Sequence, residues 1–237
     1  MAVYRLNDDD CLFPDPRRTD DEGLLAVGGD VRPDRLIAAY SQGIFPWPSE
    51  GYPMLWHCPA QRFVLRPSDV RVNRSLAKAI RKRPFEIRLD TAFADVIAAC
   101  QQAPRPGEAG TWLTDALRAS FVQLHHRGWA HSAEAWQDGK LVGGLYGMGI
   151  GGMFCGESMF ARVDNASKIA LATLCVQLGR WQFRLLDAQV ETPHLASLGA
   201  QMMPRGQFLQ EVARAAAMPI PRGPWRLDES LKYGPPV

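Results

Sequence analysis

The stretch WAHSAEAWQDGKLVGGLYGMGIGGMFCGESMF, Trp129 to Phe160, decides the fold. No helical period survives in it. Apolar and small residues run in short segments broken by turn signals, which is the pattern of strands. Asp138-Gly139 is a two-residue hairpin signal, and a second glycine turn follows Gly149. The segment therefore predicts strands over Trp129–Trp136, Leu141–Gly149 and Met153–Phe160, paired as an antiparallel meander. Gly147-Met148-Gly149-Ile150-Gly151-Gly152 matches GxGxxG letter by letter. A dinucleotide site needs a helix after those glycines, and here a strand follows. The glycines are expected to permit a tight turn or a close backbone approach instead.

Downstream, Asn165 is placed to cap a helix running to about Gly179, and Phe183–Val190 reads as a buried strand. A short helix is expected over His194–Leu198 and an amphipathic one over Arg205–Ala217. Met218–Val237 is proline-rich and is expected to lie extended on the surface. Upstream, Thr114 caps a helix that stops at Gly128, and Thr91–Cys100 carries an apolar stripe at helical spacing. A proline- and glycine-bearing loop, Ala103–Gly110, separates the two. Asn73 caps a helix that Pro84 ends. On it Arg74, Lys78, Arg81 and Lys82 stand at i, i+4, i+7 and i+8, one helical face. Such a face is either a solvated surface or a seat for a phosphate backbone.

The first residues differ in character. Asp8, Asp9, Asp10, Asp15, Asp20, Asp21 and Glu22 make the start acidic and turn-rich. A short helix with Pro33 in its first turn ends at Gly43, and Ile44-Phe45-Pro46-Trp47-Pro48 cannot continue it. The organisation is thus a small N-terminal α/β module, residues 1–60, and a larger domain, residues 61–237. The fold class is α+β, with a mixed α/β sheet. Element order and length suit an N-acyltransferase-like core.

Composition sets the outer bounds. The chain has 237 residues, 46% hydrophobic and 22% charged, which excludes wholesale disorder. Lys and Arg number 27 against 25 Asp and Glu, a net charge of +2 that hides the segregation just described. The 5 cysteines form no CxxC pair, which argues against a zinc site or a disulfide framework. The histidines show no metal spacing. Met1–Asp10 is too polar for a signal peptide, and no apolar run approaches the ~20 residues that cross a bilayer. The expectation is a cytoplasmic protein with no metal, no cofactor and no membrane partner.

Three polar residues interrupt apolar strands: Glu157, Asp187 and Gln189. Residues two apart in a strand share a face, so Asp187 and Gln189 are expected to point together. Carboxylates so placed either brace the sheet through buried hydrogen bonds or serve a site. Trp47, between two prolines, is the aromatic ring best placed to stay exposed for stacking.

Several motifs carry a resemblance. They are Gly23-Leu24-Leu25-Ala26-Val27-Gly28-Gly29-Asp30, Gly43-Ile44-Phe45-Pro46-Trp47, Gly110-Thr111-Trp112, Phe154-Cys155-Gly156-Glu157-Ser158-Met159-Phe160, Asn165-Ala166-Ser167-Lys168 and Thr192-Pro193-His194-Leu195-Ala196-Ser197-Leu198-Gly199-Ala200. Together they resemble the bacterial leucyl/phenylalanyl-tRNA–protein transferases, from about Phe13 to Phe208. The sequence departs at His57-Cys58, where Trp-Ser is common, at Ala188, where Cys is common, and at Met203, where Ile is common.

The resemblance implies an N-acetyltransferase-like catalytic domain (the acyl-CoA N-acyltransferase fold) and an activity. Leu or Phe, with Met a third candidate, moves from aminoacyl-tRNA to the α-amine of proteins beginning with Arg or Lys, marking them for degradation. It also implies roles. The proton relay of the family falls on Asp187 and Gln189. Glu157 partners either the attacking amine or the cationic acceptor side chain. The aminoacyl pocket is assigned to Trp112, Phe154, Leu186, Met153 and Met159. Trp47, Arg74, Lys78, Arg81 and Lys82 are assigned to the tRNA. The rival readings are an acyl-CoA-dependent N-acetyltransferase and a non-catalytic RNA-binding module.

Overall fold

The computed structural model describes residues 3–20, 22–49, 51–103, 112–219 and 221–237. Asp21, most of the loop after Ala103 and the Gly110-Thr111 part of one motif lie outside the described residues. The first sheet uses β1 (Tyr4–Leu6), β2 (Leu24–Gly28), β3 (Phe45–Pro46) and β4 (Leu55–His57), in the order β1-β2-β4-β3, with α1 (Pro33–Tyr40) beside it. The Phe45-Pro46-Trp47 segment is thereby held extended, with Phe45 opposite His57 and Pro46 opposite Trp56.

The second sheet has seven strands: β5 (Gln61–Leu65), β6 (Glu86–Leu89), β7 (Ala130–Gln137), β8 (Lys140–Ile150), β9 (Met153–Ala161), β10 (Leu185–Asp187) and β11 (Gln201–Pro204). Their order is β11-β5-β10-β9-β8-β7-β6. The helices are α2 (Arg74–Arg81), α3 (Phe93–Gln102), α4 (Asp115–His126), α5 (Ala166–Arg180), α6 (Pro193–Ser197) and α7 (Arg205–Ala216). The sheet is sandwiched. Tyr146, Met148 and Met153 join one core with α1, α3, α4, α7 and the first sheet, whereas Leu145, Phe154 and Leu186 join a second with α2 and α5.

The meander forms as its turns dictate. Asp138 and Gly139 both take positive φ, 50° and 73°, as a type I′ hairpin needs. The glycine-rich run serves packing. A Cβ on Gly147 would sit 2.1 Å from the Cys155 carbonyl oxygen, and one on Gly151 1.9 Å from that of Ala215. The Asn73 side chain accepts from the Leu76 N–H at 2.9 Å and so starts α2.

Three expectations are corrected. Asn165 precedes α5 but takes a left-handed conformation, φ 68°, and its side chain caps nothing. The strand expected over Phe183–Val190 is only three residues long and ends at Asp187. The C-terminal tail is not a surface strap. Trp225 and Leu231 are buried, Trp225 stacks on His131 with ring centroids 3.6 Å apart, and Lys232 accepts from the Ile87 N–H with its backbone carbonyl. Apolar residues spaced without period gave no sign that the tail closes one face of the sheet.

Candidate active site

The strands β9 and β10 run parallel, with Leu185 opposite Met153, Leu186 opposite Phe154 and Asp187 opposite Cys155. There the pairing stops. β9 continues through Gly156, Glu157, Ser158 and Met159, while the other chain turns away at Ala188 and Gln189. A cavity of about 480 Å³ opens where they part. Leu145, Met159, Leu171 and Leu186 form its apolar wall, Trp47 and Trp112 its aromatic edges, and Glu157, Gln189 and His194 its polar points.

Glu157 owes its direction to a bulge. Tyr146 pairs with Ser158 and Gly147 with Gly156, so Glu157 is the extra residue of β9 between them. A bulge re-aims the side chain it carries. The Oε1 atom is shielded from solvent and has no hydrogen-bond partner among the described residues. Burial pushes the carboxyl up to about 8, with the Tyr40 hydroxyl opposing the shift, the charge of Asp187 adding to it and Arg62 opposing it. At neutral pH Glu157 therefore holds a proton for most of the time.

Asp187 is held differently. Arg62 donates to it twice, from Nε and from Nη2, both at 2.7 Å, with 1% and 0% of the two side chains exposed. The guanidinium lies between two rings, 4.4 Å from the Phe45 centroid and 4.6 Å from that of Phe208. Asp187 Oδ1 also accepts from the backbone N–H of Gln189 at 3.0 Å. Gln189 has φ 56°, and its carbonyl accepts from the Phe63 N–H at 3.2 Å. The left-handed residue reverses the alternation of a strand. Asp187 and Gln189 consequently do not share a face, contrary to the sequence reading: Gln189 lines the cavity and Asp187 does not. The Nε2 of Gln189 is shielded and without a partner among the described residues.

The other assigned residues divide. Trp112, Leu186 and Met159 line the cavity. Phe154 and Met153 do not. Both are buried in the cores on opposite faces of the sheet, Phe154 beneath Trp225 and Met153 with α7, because alternate residues of β9 point to opposite sides. Trp47 is 42% exposed at the rim, with its ring edge-on to Phe45 and His57. Arg74, Lys78 and Arg81 are exposed on α2 and Lys82 is exposed as the residue that ends it, and none of the four has an ion-pair partner among the described residues. The chain entering α2 is tied to the end of α6 by a bond from the Arg71 N–H to the Leu198 carbonyl, 2.8 Å. That bond joins the start of the basic helix to the helix that carries His194.

The sequence reading passed over Arg62, Tyr40, Leu171 and His194. For Arg62 a signal existed: an arginine heading the apolar run Phe63-Val64-Leu65 has to find a buried partner. The buried thiol of Cys155 is pushed well above its usual range by burial, so it is no nucleophile. Among the described residues no group of three or more His, Cys, Asp or Glu is placed to hold a metal ion. No helix among them is long and apolar enough to cross a membrane.

An apolar cavity that also carries a buried carboxyl and an unpaired amide nitrogen is the kind of site in which enzymes hold an apolar group beside a polar one. Residues 64–213 match the family Leucyl/phenylalanyl-tRNA protein transferase, and residues 29–60 match its N-terminal domain. The transferase of Myxococcus xanthus that bears this name is 52% identical over 95% of the chain and 97% of its own length. That of Nitratidesulfovibrio vulgaris is 49% identical over 98% and 99%. The chain belongs to the leucyl/phenylalanyl-tRNA–protein transferase family, and it is an enzyme of the aminoacyltransferase class. Among solved structures, the L-PGS of Bacillus licheniformis is 12% identical, covers 71% of this chain and 53% of its own, and superposes with a TM-score of 0.39. A GCN5-related N-acetyltransferase-like protein of Streptococcus suis is 15% identical over 72% and 63%, with a TM-score of 0.31.

Proposed function

We propose that the protein transfers a leucyl or phenylalanyl residue from aminoacyl-tRNA to the α-amine of proteins that begin with Arg or Lys, a modification that marks them for degradation in the cytoplasm. The observation that carries this reading is the cavity itself. Its lining is mostly apolar, Leu145, Met159, Leu171 and Leu186 with the rings of Phe45, Trp47 and Trp112, which suits an unbranched-at-Cβ side chain such as Leu or Phe, and Glu157, Gln189 and His194 supply polar groups for an ester. The division into residues 1–60 and 61–237 serves it, because Phe45 and Trp47 reach the cavity from the smaller unit.

The chemistry asks little of the enzyme. The ester is already activated. The amine nitrogen attacks its carbonyl carbon, the bond to the ribose oxygen breaks, and the proton lost by nitrogen ends on that oxygen. Alignment and hydrogen bonding carry the rate. Gln189 accepts from the amine through Oε1, and its unpaired Nε2 faces the developing oxyanion. Asp187 acts through Gln189: it fixes the backbone N–H, while its charge is matched by Arg62. A free α-amine titrates at about 7.7–8.0. The Glu157 carboxyl, raised to about 8, exchanges a proton with it at little cost. An arriving ammonium favours the carboxylate, so Glu157 is the acceptor's partner in the cavity.

Trp47 at the rim stacks the terminal adenosine. Leu145, Leu171, Leu186, Met159 and Trp112 receive the aminoacyl side chain, and the exposed cations of α2 receive the tRNA phosphates. The deciding experiment is transfer of labelled Phe from Phe-tRNA to a peptide beginning with Arg, beside a control peptide beginning with Met. Equal labelling of both, or of neither, would refute the reading.

A further inference from the structure

His194 is a polar residue of the cavity to which the mechanism above gives no part. It sits in α6, whose start is fixed by Thr192, the side chain of which accepts from the Leu195 N–H at 3.3 Å. The Ser197 hydroxyl donates to the His194 carbonyl at 2.6 Å and fixes the other end of the turn. Thr192, His194 and Leu195 all line the cavity that Gln189 and Glu157 share. Both ring nitrogens, Nδ1 and Nε2, are shielded from solvent and have no hydrogen-bond partner among the described residues. The backbone of the turn is fixed at both ends, and an imidazole on it with a donor and an acceptor both unused is costly to keep unless something else uses them.

The surroundings narrow what that is. Burial, and then the charge of Lys168, hold the ring below its usual pKa, so it is neutral near pH 7 with one N–H and one lone pair. A cationic group would meet the repulsion of Lys168. A leucyl or phenylalanyl side chain has no polar atom to offer. What remains on the donor substrate beside the reacting ester is the hydroxyl of the terminal ribose, which both donates and accepts and so pairs with the ring in either tautomer. We propose that His194 binds the 2′-hydroxyl of the terminal adenosine of the aminoacyl-tRNA and so seats the ester against Gln189. His194 is thus a substrate-orienting residue, and the assignment rests on the transfer reaction proposed above.

The test pairs a variant with an altered substrate. Phe-tRNA ending in adenosine and Phe-tRNA ending in 2′-deoxyadenosine are compared as donors to one peptide beginning with Arg. In the wild-type enzyme, loss of the hydroxyl should lower kcat/KM by about 10- to 100-fold, the effect of leaving a buried hydrogen-bonding partner unmatched. His194→Ala should show the same loss with the adenosine donor and no further loss with the deoxyadenosine donor. His194→Asn, which keeps a donor and an acceptor, should fall between, and serves alone if the alanine variant does not fold. An equal loss from His194→Ala with both donors would overturn the assignment, as would no loss with either. A wild-type enzyme indifferent to the hydroxyl would overturn it too. Failure of the wild type to label the Arg peptide at all would instead refute the transfer reading, and this assignment with it.

Discussion

Arg62 and Asp187, 125 residues apart in the chain, form a two-pronged ion pair sealed from solvent, and the same carboxylate holds the backbone of Gln189. Through Phe45 the guanidinium touches one wall of the cavity, and through Asp187 it sets the other. Arg62→Ala would leave Asp187 as an unpaired buried charge and should cost about 3–5 kcal/mol of stability. Arg62→Met combined with Asp187→Leu should recover most of that, because two charges vanish together. Urea unfolding measures both. The double variant should still be inactive in transfer, since Gln189 has lost the acceptor that orients it. An Arg62→Ala protein as stable as wild type would show that the pair does not matter to the fold.

Gln189→Ala should lower the rate of transfer by about 10²- to 10³-fold, the range for losing one preorganised donor at an oxyanion. Binding of aminoacyl-tRNA should stay near wild type, because the residue lines the cavity and is not on the basic helix. Single-turnover transfer beside filter binding separates the two. A loss confined to tRNA affinity would remove Gln189 from the chemistry.

The pair Asp187 and Gln189 also marks where reading the sequence failed and why. Both residues were legible as polar interruptions in an apolar run. A period-two argument then aligned them on one face. That alternation is broken by the left-handed turn at Gln189, whose carbonyl is bonded from across the sheet by Phe63 and whose N–H is bonded by the Asp187 carboxylate two residues back. The bulge that aims Glu157 is equally non-local, for it exists only against Tyr146 and Gly147 of β8. The meander, the hairpin turn and the capped α2 were legible because neighbouring residues decide them. The buried tail was not, because Trp225 is held by Asp90, His131 and Phe154, all far away in the chain.

Trp225→Ala therefore tests packing that composition concealed. Removing a large buried ring should cost about 3–5 kcal/mol. The Trp225 N–H donates to Asp90 at 2.6 Å, so the backbone anchor survives the substitution. Denaturant titration would read the loss. A change under about 0.5 kcal/mol, the range of ordinary surface substitutions, would return the tail to the surface.

The basic helix makes a prediction about salt. Arg74→Ala with Lys78→Ala should weaken tRNA binding and flatten the plot of log affinity against log salt. The slope should fall by about 0.7–0.9 for each phosphate that is no longer neutralised. A filter-binding titration gives the slope directly. An unchanged slope would place the tRNA on another face.

Glu157 should leave a mark on stability as pH changes. In the unfolded chain a glutamate titrates at about 4.3, whereas in the fold burial raises Glu157 to about 8. Between those values the folded protein holds a proton that the unfolded chain has lost. The unfolded state binds fewer protons there, so this residue makes stability fall as pH rises, until the fall levels off above about 8. Glu157→Gln is neutral throughout and escapes the fall. Its stability relative to wild type should therefore improve steadily from pH 5 to pH 8 and then stay constant, as read by urea unfolding at each pH. A difference that does not vary with pH would mean that the carboxyl ionises normally, and the matched proton exchange with the acceptor amine would lose its basis.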